Sequence, residues 1–375
     1  MEKAVVTPWE VKGNIDYNKL MKEFGVSPMV SLPDEFRENL LFRRGKIFAQ
    51  RDFDRIIDSY KKRKPFVMMT GLMPSGSFHI GHMMLAKQMI FYQSIGAKVY
   101  IAVADVEAYN TRFQPLDKGR EIAISQYILN YIALGLKPKN CEIYFQSARS
   151  KDAKKSNAYY RLQNLLARHA TFNEFRAVYG EITPGKMVSS NLQASDMLHP
   201  QLPEFEGKVP SVIPVGIDQD PHIRLARDMS GRIKEYSFTQ LSSTYHQFVP
   251  GLDGGKMSSS NPLSHITLLD DPKTIKNKIN KYAFSGGQPT VEEHRKKGGN
   301  TDIDVPYQWL TFLEEDDKKL KEIHDDYRSG KMLTGEIKAI LIEKLTKILE
   351  DHQKRMEKAK DKLDEFLPDE KKFAK

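Results

Sequence analysis

The chain has 375 residues, of which 40% are hydrophobic and 29% are charged. This length predicts two or three domains with proper hydrophobic cores, and no window approaches the roughly 20 apolar residues of a membrane span, which excludes membrane insertion. The formal charge of +9 fits a polyanionic partner such as RNA, and equally an unspecialised basic surface.

Cysteine and histidine usage limits the chemistry further. Cys141 is the only cysteine, and the ten histidines are scattered along the chain. A single thiol excludes an internal disulfide, and without a clustered Cys/His pattern we expect neither structural zinc nor a dedicated metal site. The amino terminus lacks the apolar run of a secretory signal, so we expect a cytoplasmic protein.

The first predicted elements form a strand, a tight loop and a helix. Residues 1–60 are polar and are interrupted by single glycines and prolines, and they predict an appended region of short elements. The apolar run 66–70 predicts a buried strand that ends at Gly71. Apolar residues then recur at helical spacing from His79 to about Ser94, and Gly96 stops the pattern.

Further strands and helices alternate along the chain. Strands are predicted at 99–104, 141–145 and 212–217, with a helix at about 118–134 and a mostly helical insertion at about 150–200. Such alternation is typical of a parallel sheet covered on both faces, with ligands bound where strands end and helices begin.

The character of the sequence changes after about Pro262, and from Val305 onward the pattern is almost entirely helical. The predicted fold class is therefore α/β. A Rossmann-like parallel-sheet catalytic domain with a helical insertion occupies 61–265, and an all-helical carboxy-terminal domain occupies 266–375.

The first motif spans residues 74–82, between the first strand and its helix. Backbone N–H groups at a helix start attract anions, so this position predicts a phosphate site. His79 and His82 are three residues apart, on one face of the first turn, where both imidazoles can donate to one phosphoryl group. Gly81 would allow an adenosine to approach the backbone. The alternative interpretation is that the two histidines merely cap the helix.

The second motif spans residues 254–260, where two glycines precede Lys256 and several serines. One ammonium and several hydroxyls suit a departing pyrophosphate, whose growing charge needs fixed donors. Taken alone, the segment is equally compatible with a flexible polar loop.

The third motif spans residues 216–222, directly after the strand at 212–217. Asp218 could accept a ribose hydroxyl or an ammonium group, and Gln219 offers both an acceptor and donors to a binding pocket. The alternative is a strand-ending turn in which Asp218 caps the next helix.

The motifs at 79–82 and 256–260 resemble the two signatures of the class I aminoacyl-tRNA synthetases, in the right order. The segment 216–221 resembles the motif shared by the tryptophanyl and tyrosyl members. Long stretches across nearly the whole chain, including 283–287, 292–295 and 298–304, look like the tryptophanyl-tRNA synthetases of archaeal and eukaryotic type. The block from 310 to 336 has no tyrosyl counterpart.

The resemblance implies a set of site residues. Those expected to act in catalysis are His79, His82, Lys256, Ser258 and Ser259. Those expected to bind ATP are Thr70, Gly71, Ser75, His79, Gly81, His82, Gly216, Asp218, Lys256, Met257 and Ser258. Those expected to bind tryptophan are Met69, Glu107, Gln193 and Gln219. Met69 and Ala102 stand where eukaryotic members have tyrosine and glutamine, which implies fewer polar contacts to the indole.

The resemblance also implies the reaction and its partners. Tryptophan and ATP, with Mg²⁺ on its phosphates, would form an adenylate, and tRNA(Trp) would take the acyl group. A homodimer built through residues 150–200 is implied, although the apolar residues of that insertion could equally pack inside one chain. The alternatives are a tyrosine–tRNA ligase, a small-molecule nucleotidyltransferase and a synthetase-like RNA-binding protein without catalysis.

Replacing Lys256 by alanine should slow adenylate formation by about a hundredfold or more, because the leaving pyrophosphate loses a charged donor. Tryptophan binding should stay nearly intact. Pyrophosphate exchange at saturating substrate measures the effect, and an unchanged rate would contradict the role assigned to this lysine.

Overall fold

The structure is a computed structural model that describes residues 5–6, 11–12, 16–255, 257 and 261–370. The strands, in chain order, are β1 (Val5–Val6), β2 (Val11–Lys12), β3 (Ser27–Pro28), β4 (Ile47–Arg51), β5 (Val67–Leu72), β6 (Lys98–Val103), β7 (Cys141–Phe145), β8 (Ser211–Gly216) and β9 (Ser242–His246).

The helices are distributed over the whole chain. They are α1 (Tyr17–Phe24), α2 (Asp34–Glu38), α3 (Leu40–Arg43), α4 (Asp54–Lys61), α5 (Ile80–Ser94), α6 (Asp105–Arg112), α7 (Leu116–Ile122), α8 (Leu129–Leu134), α9 (Ala153–Leu166), α10 (Phe172–Tyr179), α11 (Pro184–Leu198), α12 (Asp220–Arg232), α13 (Pro272–Tyr282), α14 (Val291–Lys297), α15 (Val305–Leu313), α16 (Asp317–Arg328) and α17 (Thr334–Lys362). A π-helical stretch, Ala123–Ile128, joins α7 to α8, so the helix predicted at 118–134 is confirmed as one continuous rod.

The central sheet has seven strands in the order β3-β4-β9-β8-β5-β6-β7. The strands from β9 to β7 are all parallel. Numbered along the chain, these five strands run in the order 3-2-1-4-5, the doubly wound arrangement in which strand order reverses between the first and fourth strand, here β5 and β8. The predicted Rossmann-like sheet is confirmed.

The edge of the sheet beyond β9 differs from the prediction. β4 pairs antiparallel with β9, and β3 pairs antiparallel with β4. The segment 1–60, expected as an appended region, thus supplies two strands of the same sheet. β9 reads Ser-Ser-Thr-Tyr-His and lacks the apolar run on which strand prediction depends, although its first four residues are buried.

Both faces of the sheet are buried. On β5, Met68 faces a hydrophobic cluster that includes Leu129 of the α8 rod and continues to Trp309 and Leu341 of the carboxy-terminal helices. Met69 faces the opposite cluster, formed mainly with α9 to α12. Alternate side chains of one strand therefore serve two cores, as the two-residue period of a strand requires.

The predicted insertion at 150–200 contains α9, α10 and α11. Of its predicted apolar face, Leu162, Leu166 and Phe175 are buried within the chain, whereas Phe172 is exposed. The face is therefore used mainly inside one chain. The start of α11 is fixed by Thr183, whose hydroxyl accepts from the Lys186 N–H, and this helix carries polar side chains towards the sheet.

The carboxy-terminal region is helical, as predicted. Its helices share the Met68 cluster with the sheet, so the two regions meet over a common core. The division at 265/266 stays a prediction. Among the described residues, no helix combines the length and the apolar character needed to cross a bilayer.

Candidate active site

A cavity of about 910 Å³ lies where the carboxyl ends of β5 and β8 part. In doubly wound sheets the crevice at the reversal of strand order is the preferred ligand site, because loops leave the two strands in opposite directions there. The predicted site residues that line this cavity are Met69, Thr70, Gly71, His79, Gly81, His82, Glu107, Gln193, Gly216, Asp218, Gln219 and Met257.

Two histidines at the start of α5 line one part of the cavity. His79 is the N-cap of α5, and its Nδ1 accepts from the Gly81 N–H at 3.1 Å. The Nδ1 of His82 accepts in turn from the His79 N–H at 3.3 Å. The two rings stack with centroids 3.8 Å apart and planes inclined by 20°. Both histidines therefore cap the start of the helix through Nδ1, as the alternative interpretation expected.

Capping leaves the other ring nitrogens available. Because each Nδ1 accepts a hydrogen bond, each neutral ring of His79 and His82 carries its proton on Nε2. Burial, reinforced by the other imidazoles, lowers the pKa of His79 to about 2, and burial with His265 lowers that of His82 to about 4. The pair is thus neutral at physiological pH and offers two N–H donors, which suits phosphoryl oxygens.

The structure gives a packing reason for glycine at position 81. A Cβ there would lie 3.0 Å from Cε1 and 3.1 Å from Nδ1 of His79, and 3.5 Å from the sulfur of Met257. The capping imidazole thus takes the space that a side chain would need, and the expected approach of an adenosine stays a prediction. Gly81 allows the ring of His79 to fold over the start of α5.

A buried carboxylate with an amide partner lies deeper in the cavity. Glu107, near the start of α6, is buried, and the Gln193 side chain donates to both of its oxygens at 2.7 Å. Burial raises the pKa of Glu107 to about 7, although the hydrogen bonds from Gln193 act in the opposite direction. The structure thus brings together two of the four residues predicted to bind tryptophan.

A second buried carboxylate, Asp196, was missed by the sequence analysis. Its oxygens accept from the hydroxyls of Tyr144 and Tyr159, both at 2.7 Å, and from the side-chain amide of Gln146 at 2.8 Å. Burial raises its pKa to about 6 despite these three donors. Asp196 and Gln146 both line the cavity. The available signal was spacing, because Asp196 follows Gln193 by three residues on α11 and so shares its face.

The segment after β8 forms a single 3₁₀ turn, Ile217–Gln219, that leads into α12. Asp218 is buried and accepts from the side chain of Gln219 at 3.1 Å. Gln219 is the N-cap residue of α12, and its side chain makes no capping hydrogen bond. A Cβ at Gly216 would lie 2.5 Å from Asp218 Oδ1 and 2.7 Å from Phe248, which explains the glycine.

Other predicted residues lie apart from the cavity or outside the described residues. Ser75 is not among the lining residues, and its carbonyl accepts from the Tyr127 hydroxyl at 2.7 Å. Lys256, Ser258 and Ser259 fall outside the described residues. Arg112, which the sequence analysis did not single out, lines the cavity and brings a permanent positive charge.

No group of three or more His, Cys, Asp or Glu side chains within the described part of the chain is arranged to hold a metal ion. The lining is instead a set of hydrogen-bond donors at one end and buried carboxylates in the interior. This arrangement can bind a phosphorylated group and an amine side by side.

Comparison with known proteins gives a consistent result. The family model described as "tRNA synthetases class I (W and Y)" matches residues 61–350. The chain is 41% identical to the tryptophan–tRNA ligase of Hyperthermus butylicus, with 98% of this chain and 99% of the relative covered. It is 43% identical to the tryptophan–tRNA ligase of Methanocaldococcus jannaschii, with 96% and 97% covered.

Solved structures agree. The tryptophanyl-tRNA synthetase of Aeropyrum pernix K1 superposes with a TM-score of 0.87 at 42% identity, covering 96% of this chain and 95% of that one. The tryptophanyl-tRNA synthetase of Plasmodium falciparum gives a TM-score of 0.81 at 32% identity, with the same coverage.

The raised pKa of Glu107 predicts how tryptophan affinity depends on pH. Below its pKa of about 7 the free carboxyl is protonated, and binding an ammonium group requires the carboxylate. The dissociation constant for tryptophan should therefore rise up to about tenfold per pH unit as pH falls below about 6.5. Calorimetry across this range measures it. Glu107→Gln should bind weakly and lose the part of the pH dependence that begins near pH 7, leaving only that of Asp196 near pH 6, and a flat profile for the unaltered protein would contradict the role of Glu107.

Proposed function

Because the chain belongs to the class I tRNA synthetase family of tryptophan and tyrosine enzymes, we infer that it is a tryptophan–tRNA ligase that activates tryptophan with ATP and transfers it to tRNA(Trp). Two relatives named tryptophan–tRNA ligase match this chain over nearly the whole length of both proteins. The observation that carries the chemical assignment is the pair of neutral imidazoles beside two buried carboxylates in one cavity.

The first step is an in-line displacement at the α-phosphorus of ATP. A carboxylate oxygen of tryptophan forms a bond to phosphorus, the bond to the β-phosphate bridging oxygen breaks, and pyrophosphate leaves with its electrons. The Nε2–H groups of His79 and His82 are assigned to the transferring phosphoryl group, where negative charge is redistributed. Catalysis rests on positioning and electrostatic stabilisation, so no covalent enzyme intermediate is needed.

Lys256, Ser258 and Ser259 are assigned to the departing pyrophosphate on the basis of sequence. Thr70, Gly71, Ser75, Gly81 and Met257 are assigned to ATP in the same way. Gly216 and Asp218 are assigned to the ribose side of the nucleotide, since Asp218 lines the cavity at the end of β8. An aspartate there accepts hydroxyl donors, as carboxylates do.

Tryptophan offers two donor centres, the ammonium group and the indole N–H, and the cavity holds two buried carboxylates. Glu107, with Gln193 and Gln219, is assigned to the ammonium group. Asp196 is assigned to the indole N–H, because its present partners are all uncharged donors. Met69 packs on the ring. A ligand without a donor would forgo this additional hydrogen bond to a charged acceptor, which contributes about 1.5–3 kcal/mol.

ATP enters as its magnesium complex in this proposal. Since no cluster of three acidic or histidine side chains occurs among the described residues, the phosphate oxygens and water would hold most of the coordination sphere, as Mg²⁺ accepts readily. The ion would neutralise phosphate charge. The protein's own contribution is the placement of donors around those phosphates.

The second substrate is tRNA(Trp), whose terminal ribose hydroxyl attacks the activated carbonyl and releases AMP. The net charge of +9 suits a polyanion of this size. The helical region from α13 onward is assigned to the anticodon end of the tRNA. This function places the enzyme in the cytoplasm, where tRNA, ATP and free tryptophan meet.

A homodimer is proposed from an exposed apolar surface that extends beyond the expected segment 150–200. Phe113, at the end of α6, is 90% exposed and has a φ of 54°. Val188 on α11 is also exposed, and α11 is tied to α6 by Asn110, whose amide donates to the Ser189 hydroxyl at 3.4 Å. An exposed phenyl ring in a left-handed conformation is costly in a monomer, and burial against a second copy would offset the cost.

The proposed activity is tested by pyrophosphate exchange with tryptophan and with tyrosine. Tryptophan should support exchange at least about a thousandfold more efficiently than tyrosine, because the two rings differ in shape and donor position. Equal or greater exchange with tyrosine would make the enzyme a tyrosine–tRNA ligase. Exchange without any amino acid would favour a nucleotidyltransferase.

The dimer is tested by sedimentation of the unaltered chain and of Phe113→Arg. The unaltered chain should sediment as a dimer at micromolar concentration, and the variant should be mainly monomeric, since a buried unpaired charge costs several kcal/mol. Phe284→Arg, at a site 49% exposed in the carboxy-terminal region, serves as the control and should remain dimeric. A monomeric unaltered chain would contradict the proposal.

A further inference from the structure

The paired imidazoles are held in place by a segment that belongs to neither of the two recognised motifs. Residues 264–270, here called the strap, run antiparallel to the residues that begin α5. The Ile80 N–H donates to the Ile266 carbonyl at 3.2 Å, and the Leu268 N–H donates to the Phe78 carbonyl at 3.2 Å. His79 and Thr267 face each other in the resulting bridge.

The strap therefore acts on the backbone that fixes the imidazoles. The His79 N–H donates to Nδ1 of His82, and the Gly81 N–H donates to Nδ1 of His79. His79 lies within the stretch of backbone that pairs with the strap, and Gly81 directly follows it. A shift of the strap would move these amides, and the rings bonded to them would move with them.

The strap itself is held from the carboxy-terminal helices. Gln353, on α17, donates from its side-chain amide to the carbonyls of Leu268 and Asp270 at 3.1 and 3.2 Å. Lys278, on α13, donates to the carboxylate of Asp270 at 2.7 Å and to the His265 carbonyl at 3.2 Å. The Asp270 carboxylate in turn accepts from the Thr267 hydroxyl at 2.7 Å.

The chain before the second motif has a similar anchor. The indole of Trp309 donates to the Pro250 carbonyl at 2.8 Å, and the Phe284 N–H donates to the Leu252 carbonyl at 2.7 Å. The Leu252 N–H donates to the Ser264 carbonyl, where the strap begins. Residues of the carboxy-terminal region thus form hydrogen bonds to the backbone on both sides of the second motif.

We propose that Gln353 is a positioning residue for amino acid activation: through its two hydrogen bonds to the strap, the long helix α17 sets the location of the His79 and His82 imidazoles at the transferring phosphoryl group. The proposal rests on the proposed function. Gln353 does not line the cavity, so it acts through the strap and through the backbone at the start of α5. The same contacts make the geometry of the phosphate site depend on how the carboxy-terminal helices sit on the sheet.

The magnitude follows from the sensitivity of oriented reactions to distance. A displacement of about 1 Å in a reacting constellation can cost about a hundredfold in rate. Removing the two hydrogen bonds of Gln353 to the strap should displace the imidazoles by less than this distance. We therefore expect about a tenfold loss in the rate of activation.

The experiment compares Gln353→Leu with a matched variant on the same helix. Leucine has a similar size and no donor. Arg355, two residues along α17, donates to the Ala133 carbonyl at 2.9 Å, which lies at the end of the α8 rod and away from the strap. Arg355→Met therefore removes a comparable tie between α17 and the catalytic region without touching the strap. Gln353→Lys restores a donor that can reach the same carbonyls.

The readouts are kcat and KM for ATP in tryptophan-dependent pyrophosphate exchange, equilibrium binding of tryptophan, and thermal unfolding. In Gln353→Leu, kcat/KM for ATP should fall about tenfold while tryptophan binding stays within about twofold. Gln353→Lys should recover most of the lost kcat/KM. Arg355→Met should retain kcat/KM within about twofold, even if its melting temperature falls as far as that of Gln353→Leu.

The proposal is overturned if Gln353→Leu keeps the unaltered kcat/KM, or if Arg355→Met loses as much activity as Gln353→Leu. Equal losses would mean that α17 contributes only stability. An unaltered enzyme without tryptophan-dependent exchange would contradict the proposed function itself, which separates the two failures.

Discussion

The site depends on a hydrogen-bonding constraint at the start of α5. Backbone amides donate to Nδ1 of both His79 and His82, so each neutral ring keeps its proton on Nε2 and presents it as a donor. Burial keeps the rings neutral, and neutrality avoids the repulsion that two stacked imidazolium ions would suffer. The groups that begin the helix are thus also the groups that we assign to the phosphates.

The interior of the cavity obeys a second electrostatic rule. Glu107 and Asp196 are both buried, and burial raises the pKa of each because it removes water from the charged carboxylate. Amide and hydroxyl donors surround them, but these only partly offset the loss of water. Each of the four carboxylate oxygens already accepts a hydrogen bond from the protein, and a ligand with an ammonium group and an N–H donor would add further donors to them. Polar residues buried at such a site indicate ligand recognition, because their desolvation is offset only when substrate is bound.

Sequence predicted the parallel strands, α5 and the helical insertion, since apolar runs and helical spacing come from burial along one chain. It could not predict β9, whose serines and threonine are buried because β4 and β8 flank them. Asp196 was missed although Gln193 marked the same face of α11. The packing reason for Gly81 could not be predicted, because the position of the His79 ring is set by its hydrogen bond at the helix start. The hydrogen bonds of Gln353 to the strap join residues more than 80 positions apart, and no local sequence pattern predicts such contacts.

The central claim is that His79 and His82 are neutral and carry their protons on Nε2 in the folded protein. Long-range proton–nitrogen NMR of the histidine-labelled chain reports the protonation and tautomer of each ring directly, with His79→Asn and His82→Asn used for assignment. Both residues should give signals of neutral rings with a protonated Nε2 and an unprotonated Nδ1 from about pH 6 to 8. Imidazolium signals, or a proton on Nδ1 of either ring over that range, would contradict this claim.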